Sequence, residues 1–243
     1  MLLIILSICA ILAYVFFVYI KNKTLSTVLA VLALLGMIGS SVLLIKNDDN
    51  HYGMHQITET KTQKIYSASP SKQMSMILYQ PIGTANKHQV YIYKQSANAK
   101  KVSHTQASVT THNRVKTTTG TNKMTTKTTY WVYDNANMKR LFWGLKNGHQ
   151  YVKRENTLYV NKQTIVLSTK QAKVLQKKAS DKTYQAKMKA GAQAFVEAQV
   201  KTAMMKDPSM SVSDREQLTK QAAAEYQAKA TQQLINDIKN GKY

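Results

Sequence analysis

Residues 1–45 read MLLIILSICAILAYVFFVYI, then KNKT, then LSTVLAVLALLGMIGSSVLLI. Neither apolar run carries a charged side chain, and each run of about 20 residues makes a helix of roughly 30 Å, the thickness of a bilayer's hydrocarbon core. Lys21 to Thr24 leave room only for a tight turn. Residues 1–20 and 25–45 are therefore expected to form an antiparallel transmembrane hairpin with both ends on one side. Three features argue against a cleaved signal peptide: no Lys or Arg precedes the first run, no Ala-x-Ala site follows it, and a second full-length span comes at once.

Within the second span, Ala30, Ala33, Gly36, Gly39 and Ser40 form a stripe of small residues that lets a neighbouring helix come close. The first span is the natural neighbour. Lys21 and Lys23 set the expected topology. The leading end carries no basic side chain and long domains cross a membrane largely regardless of charge, so the lysine turn is expected in the cytoplasm. The reading is a multi-pass plasma-membrane protein with an extracytoplasmic soluble domain.

Everything after residue 45 is strongly cationic. It holds 32 of the 34 Lys and Arg and all 12 Asp and Glu, leaving a net charge of +20. Such a surface seeks an anionic neighbour: wall polymer, lipid headgroups or nucleic acid. The basic residues are nearly all Lys, with only Arg114, Arg140, Arg154 and Arg215 able to clamp phosphate in two-pronged fashion, which argues against sequence-specific nucleic acid recognition. The single cysteine, Cys9, lies in the first apolar run and allows neither an internal disulfide nor a thiolate metal cluster.

The soluble part changes character twice. Residues 46–64 lack clear apolar periodicity and read as a linker. Residues 65–168 alternate with period two and read as an antiparallel β domain of seven or eight strands. Hairpins are expected around Pro81 to Gly83, Thr119 to Asn122, Lys146 to Gly148 and Asn161-Lys162, and Tyr130, Trp131, Tyr133, Phe142 and Trp143 are expected in the core. Residues 169–243 read as a helical hairpin, 169–206 and 214–240. It opens on capping boxes at Ser168 and Ser213, and Leu218, Ala222, Tyr226, Ala230, Leu234 and Ile238 make an i+4 stripe.

No catalytic motif emerges. His51-x-x-x-His55 would suit a soft metal ion on a helix but lacks a third strong ligand. His104 and His112, on one expected strand, are too far apart to share an ion. A phosphate loop, a nucleophile elbow and a His-Glu-x-x-His motif are all missing. The expectation is no cofactor, no metal and no enzyme. An enzyme with a dispersed site, or a cytoplasm-facing binder of nucleic acid or inner-leaflet lipid, are the alternatives.

Tyr159-Val160-Asn161 through Val166-Leu167-Ser168-Thr169-Lys170-Gln171-Ala172-Lys173, and later Asp214-Arg215-Glu216-Gln217-Leu218-Thr219-Lys220-Gln221, resemble a family of two-span membrane proteins from lactic acid bacteria known as a domain of unknown function. The resemblance implies the same membrane-anchored α+β architecture and assigns no functional residue. It also implies a membrane partner such as an efflux transporter of the major facilitator type, in a Gram-positive envelope whose wall is rich in phosphate polymers.

Overall fold

The structure, a computed structural model, describes residues 1–69, 74–83 and 88–242. It is mixed α+β and divides into two units, each assembled from separate stretches of chain: Met1–Lys64 with Gln106–Val160, and Ile65–Thr105 with Asn161–Tyr243.

The first unit begins with α1 (Leu2–Tyr19) and α2 (Lys23–Asn50), both long and apolar enough to cross a membrane. They pack antiparallel. Asn22 caps α2, its side chain accepting from the Leu25 backbone N–H at 3.3 Å. α2 runs past the apolar stretch to Asn50 and ends where His51 takes a left-handed conformation, φ 55°. The expected linker 46–64 is thereby corrected. After a short turn the chain enters β1 (Met54–Lys64), which pairs antiparallel with β6 (Lys123–Tyr133) over its whole length, Met54 opposite Tyr133 and Lys64 opposite Lys123. Sequence periodicity hides β1 because it is an edge strand, with nearly all its side chains in solvent on both faces. Thr58 and Thr129, and Thr62 and Thr125, hydrogen-bond across the pair at 3.1 Å.

The sheet order in this unit is β1-β6-β7-β5, where β5 is Thr111–Thr118 and β7 is His149–Asn161. Two expected hairpins fail here. β5 and β6 are not neighbours although Thr119 to Asn122 joins them, because β1 and β7 already flank β6 on its two sides. Arg140 and Leu141 belong to a short helix, α3 (Ala136–Leu141), so Asn147-Gly148 leads into β7 instead of closing a hairpin. Asn135 starts α3, accepting the backbone N–H groups of Asn137 and Met138 at 3.0 Å.

The second unit carries a separate sheet, β4-β3-β2-β8: β4 Ser103–His104, β3 His88–Tyr93, β2 Met76–Ile82 and β8 Ile165–Ser168. β2 and β3 pair antiparallel as expected, but Pro81 and Ile82 lie within β2, opposite Gln89 and His88, and the connection after Gly83 falls outside the described residues. β8 pairs parallel with β2, Met76 opposite Ile165 and Leu78 opposite Leu167, so the Asn161-Lys162 turn joins two different sheets. The single antiparallel β domain of 65–168 is thus corrected to two sheets, one of them containing a parallel pair. His104 and His112 belong to different strands and different sheets.

Three helices complete this unit: α4 (Thr169–Ser180), α5 (Lys182–Lys206) and α6 (Val212–Lys239). Ser168 opens α4 with a complete capping box, its hydroxyl accepting from Gln171 N–H at 3.1 Å while Gln171 Oε1 accepts from Ser168 N–H at 2.8 Å. Asp181 separates α4 from α5 and caps the latter; the N–H groups of Tyr184 and Thr183 on its carboxylate hold its pKa below the ordinary value. α6 starts two residues earlier than its expected box, because Ser211 and not Ser213 is the capping residue. The core joins β2 and β8 to α4 and α6 through Met76, Leu167, Leu175, Ile235 and Ile238. Ala222 and Ile238 of the expected α6 stripe are buried and the rest of it is half-buried.

Candidate functional site

The apolar helices bury small residues and expose large ones. Ser26, Ala30, Ala33, Ser40 and Asn47 are buried on α2, with half-buried Met37 and Leu44 filling the series 26, 30, 33, 37, 40, 44, 47. That spacing averages 3.5 residues, the repeat that keeps one seam of a helix facing its partner. Of the small-residue stripe, Ala30, Ala33 and Ser40 lie on this seam. Gly36 does too: a Cβ there would come to 2.9 Å from Cys9 Sγ. Gly39 is exposed, and a Cβ there would meet nothing within 4 Å. Its inclusion is corrected: Gly36 stands at helical spacing from both Ala33 and Ser40 and so shares their face, whereas Gly39, directly before Ser40, points off it. Lys21 and Lys23 are exposed at the turn.

At the other end of the pair, a junction fastens the helices to the sheet of the same unit. Asn47, fully buried, donates from Nδ2 to the Tyr52 carbonyl at 2.8 Å, and its Oδ1 accepts from Asn147 Nδ2 at 2.9 Å. Asn147 Oδ1 in turn accepts from the Tyr133 hydroxyl. Burial raises the pKa of Tyr133, which keeps the phenol a donor. The Asn47 amide is thus partnered at both its oxygen and its nitrogen, as a buried amide requires. The His51 ring stacks on Trp131 at 4.4 Å. The Met1 ammonium donates to the carbonyls of Arg140, Leu141 and Trp143 at 3.1, 3.0 and 3.4 Å. Phe142, 1% exposed, is stacked on Tyr133 and lies against Gly53. Gly53 has φ +77°, and a Cβ there would touch the Met138 sulfur at 3.0 Å, so glycine is required on both counts.

The aromatic core expected of the β region is realised in part. Phe142 is buried and Tyr130, Trp131 and Tyr133 are half-buried, but Trp143 is 65% exposed.

The histidines are scattered among local roles. His51 ends α2 and His55 lies in β1, so their i, i+4 spacing never falls on one helix. His55 Nδ1 is 2.9 Å from Asp134, and His149 Nε2 is 3.5 Å from Glu59, with all four side chains about half exposed. Both pairs lie at the surface and are partly open to solvent. Among the described residues no three His, Cys, Asp or Glu side chains gather into a metal-binding group.

Charge is concentrated on the helices of the second unit. Lys170, Lys173, Lys177 and Lys178 on α4, and Lys182, Lys187 and Lys189 on α5, are all exposed, with Asp181 the lone carboxylate in that stretch. Among the described residues the ion pairs formed by lysines are Lys153 with Glu155 and Lys229 with Glu225, so these seven are left to solvent. Sequence reading counted the charge but did not locate the ridge. The signal was available as seven Lys within 20 residues of predicted helix.

No curated protein and no solved structure matches the chain. The family model described as Domain of unknown function (DUF4811) matches residues 22–175, from the turn before α2 to the middle of α4. That match spans both sheets and the junction and well over half of the sequence, so the chain belongs to the DUF4811 family.

Proposed function

We propose that the protein is a non-enzymatic, membrane-anchored component of the cell envelope, held by α1 and α2, whose cationic extracytoplasmic part binds anionic wall polymer, lipid groups or a membrane partner such as an efflux transporter. The observation that carries the binding role is the ridge of seven unpaired lysines on α4 and α5. Lysines outside any ion pair, with Asp181 the one carboxylate among them, keep most of their attraction for a polyanion, and Lys suits diffuse point-charge contact better than shaped phosphate recognition. The anchoring role is supported by the girdle of exposed Leu, Ile, Val and Phe around both apolar helices, a surface far larger than a soluble protein leaves in water. The cytoplasmic lysine turn and an origin among lactic acid bacteria belong to the same proposal, resting on Lys21 and Lys23 and on the resemblance of Tyr159–Lys173.

Protease accessibility tests the sidedness. Cleavage in the lysine-rich helices is expected in intact cells, and protection until lysis would overturn the extracytoplasmic assignment. Retention of the protein on purified walls or anionic vesicles tests the charge. It is expected to weaken steeply with salt and to drop when the seven lysines are changed to Gln. Retention indifferent to both would remove the lysine ridge from the proposal.

A further inference from the structure

The turn that follows α3 lies at the depth where an apolar helix begins. The Met1 ammonium bonds to the Arg140, Leu141 and Trp143 carbonyls, and a Cβ on Gly144 would come within 3.0 Å of Leu3 Cδ1. Side chains of this turn alternate sharply. Phe142 is buried within the unit, whereas Trp143 next to it is 65% exposed. On the same stretch of chain, Lys139, Arg140 and Lys146 are exposed and lack ion-pair partners among the described residues. The usual reason for cations in the last turn of a helix, compensation of its terminal carbonyls, is already met here by the Met1 ammonium. The Asn47–Asn147 bond ties this turn to the end of α2, where exposed Lys46 directly follows the apolar run. The carboxylates on these segments are Asp134, taken by His55, and Asp48 and Asp49, which are farther along α2 from the apolar run than Lys46.

An exposed tryptophan on a cation-bearing turn at the end of two apolar helices has the chemistry of a bilayer interface. Its indole is apolar on its faces and carries one N–H donor, and such rings collect at headgroup level. Basic residues held there attract anionic lipid. We infer that Trp143, with Lys139, Arg140, Lys146 and Lys46, forms a lip that rests on the membrane surface and takes anionic phospholipid headgroups. The inference rests on the proposed anchoring of α1 and α2. It adds a lipid site on the α3 turn and a fixed tilt of the first unit's sheet.

The full chain carrying Trp131→Phe, which keeps a ring to stack on His51, has Trp143 as its one tryptophan. It is reconstituted in vesicles containing brominated phosphatidylglycerol or brominated phosphatidylcholine at equal mole fraction. Trp143 emission is expected to be quenched more by the brominated phosphatidylglycerol, and to be shielded from aqueous iodide. Changing Lys139, Arg140 and Lys146 to Gln is expected to reduce the preference by up to roughly fivefold for each charge removed. Should Trp131→Phe disturb the junction, the same signal is obtained by subtracting the spectrum of Trp143→Phe from that of the native protein. Protein that floats with the vesicles while Trp143 stays open to iodide and unquenched by either lipid would overturn the lip and leave the anchor standing. Equal quenching by both lipids would overturn the headgroup assignment. Protein that fails to float with the vesicles at all would overturn the anchoring itself, and the lip with it.

Discussion

Two sets of packed helices in this chain are built inside out relative to each other. The α1–α2 pair buries Ser26, Ala30, Ala33 and Ser40 and exposes Leu, Ile, Val and Phe. The α4 and α6 helices bury Leu175, Ile235 and Ile238 against β2 and β8 and expose Lys. The proposed membrane anchoring of α1 and α2 accounts for the difference. Water drives large apolar side chains into a shared core, whereas in hydrocarbon a large apolar side chain gains nothing by leaving its surroundings, and close backbone approach across small residues holds helices together. The lesson is that burial alone does not identify a core; the volume of the buried side chains does.

That contrast can be broken by exchanging sizes. The largest effect is expected from Ile238→Ala, which removes a fully buried side chain from the core of the second unit and should cost about 2 to 5 kcal/mol in chemical unfolding. The same truncation at exposed Leu35 on α2 should leave stability unchanged in detergent or bilayer. Enlarging a small residue should reverse the ranking. Ala33→Leu, on the α1–α2 seam, is expected to separate those helices, read as lost crosslinking between cysteines placed across the pair; crosslinking that persists would show that the seam is not where the helices meet. Small residues also serve close approach once in the tail. A Cβ at Gly191 would collide with the Tyr226 hydroxyl, so Gly191→Leu should cost about 1 to 3 kcal/mol and disturb the Phe195–Tyr226 contact.

Smaller effects sharpen the picture at the ends of helices. Asn47→Leu would leave Asn147 without its acceptor in a buried site, an expected loss of about 1 to 3 kcal/mol that should loosen β1 and α3 in hydrogen exchange before it touches the second unit. Loss of protection in both units together would mean that the junction does not act locally. The smallest effect is pH-dependent. Asp181 is held below its ordinary value of 3.8 by the N–H groups it caps, so its contribution is fully present above that value and fades as pH falls through the lower folded-state pKa. Protection of the first turn of α5 should therefore be constant from neutral pH down to mildly acid and then decline. Asp181→Asn should remove that decline, and an unchanged profile in the variant would exclude Asp181 as its source.

Local chemistry makes some joints legible from the order of residues alone. Ser168 and Gln171 satisfy each other's backbone within four residues, and Asp181 interrupts a helix whose next N–H groups it can cap. The membership of the strands in sheets was not legible. Thr119 to Asn122 and Asn147-Gly148 carry good turn chemistry and yet join elements that do not pair, because turn residues specify a local reversal and not the partner that lies beside the strand afterwards. β1 escaped notice because an edge strand solvated on both faces shows no alternation. The lysine ridge was present as a count and hidden as a place.

By itself the sequence determined the two apolar helices, the cationic surplus, the α+β composition and the helical tail. These follow from the composition and short-range periodicity of single segments, which each segment carries whatever surrounds it. Only the tertiary structure decided that residues 54–64 pair with β6, that β8 lies parallel to β2, that Asn47 and Asn147 meet, and that Trp143 is exposed while Phe142 is buried. Each of those is a contact between residues far apart in the chain, set by which partner best buries or satisfies both surfaces, and no single segment carries that information.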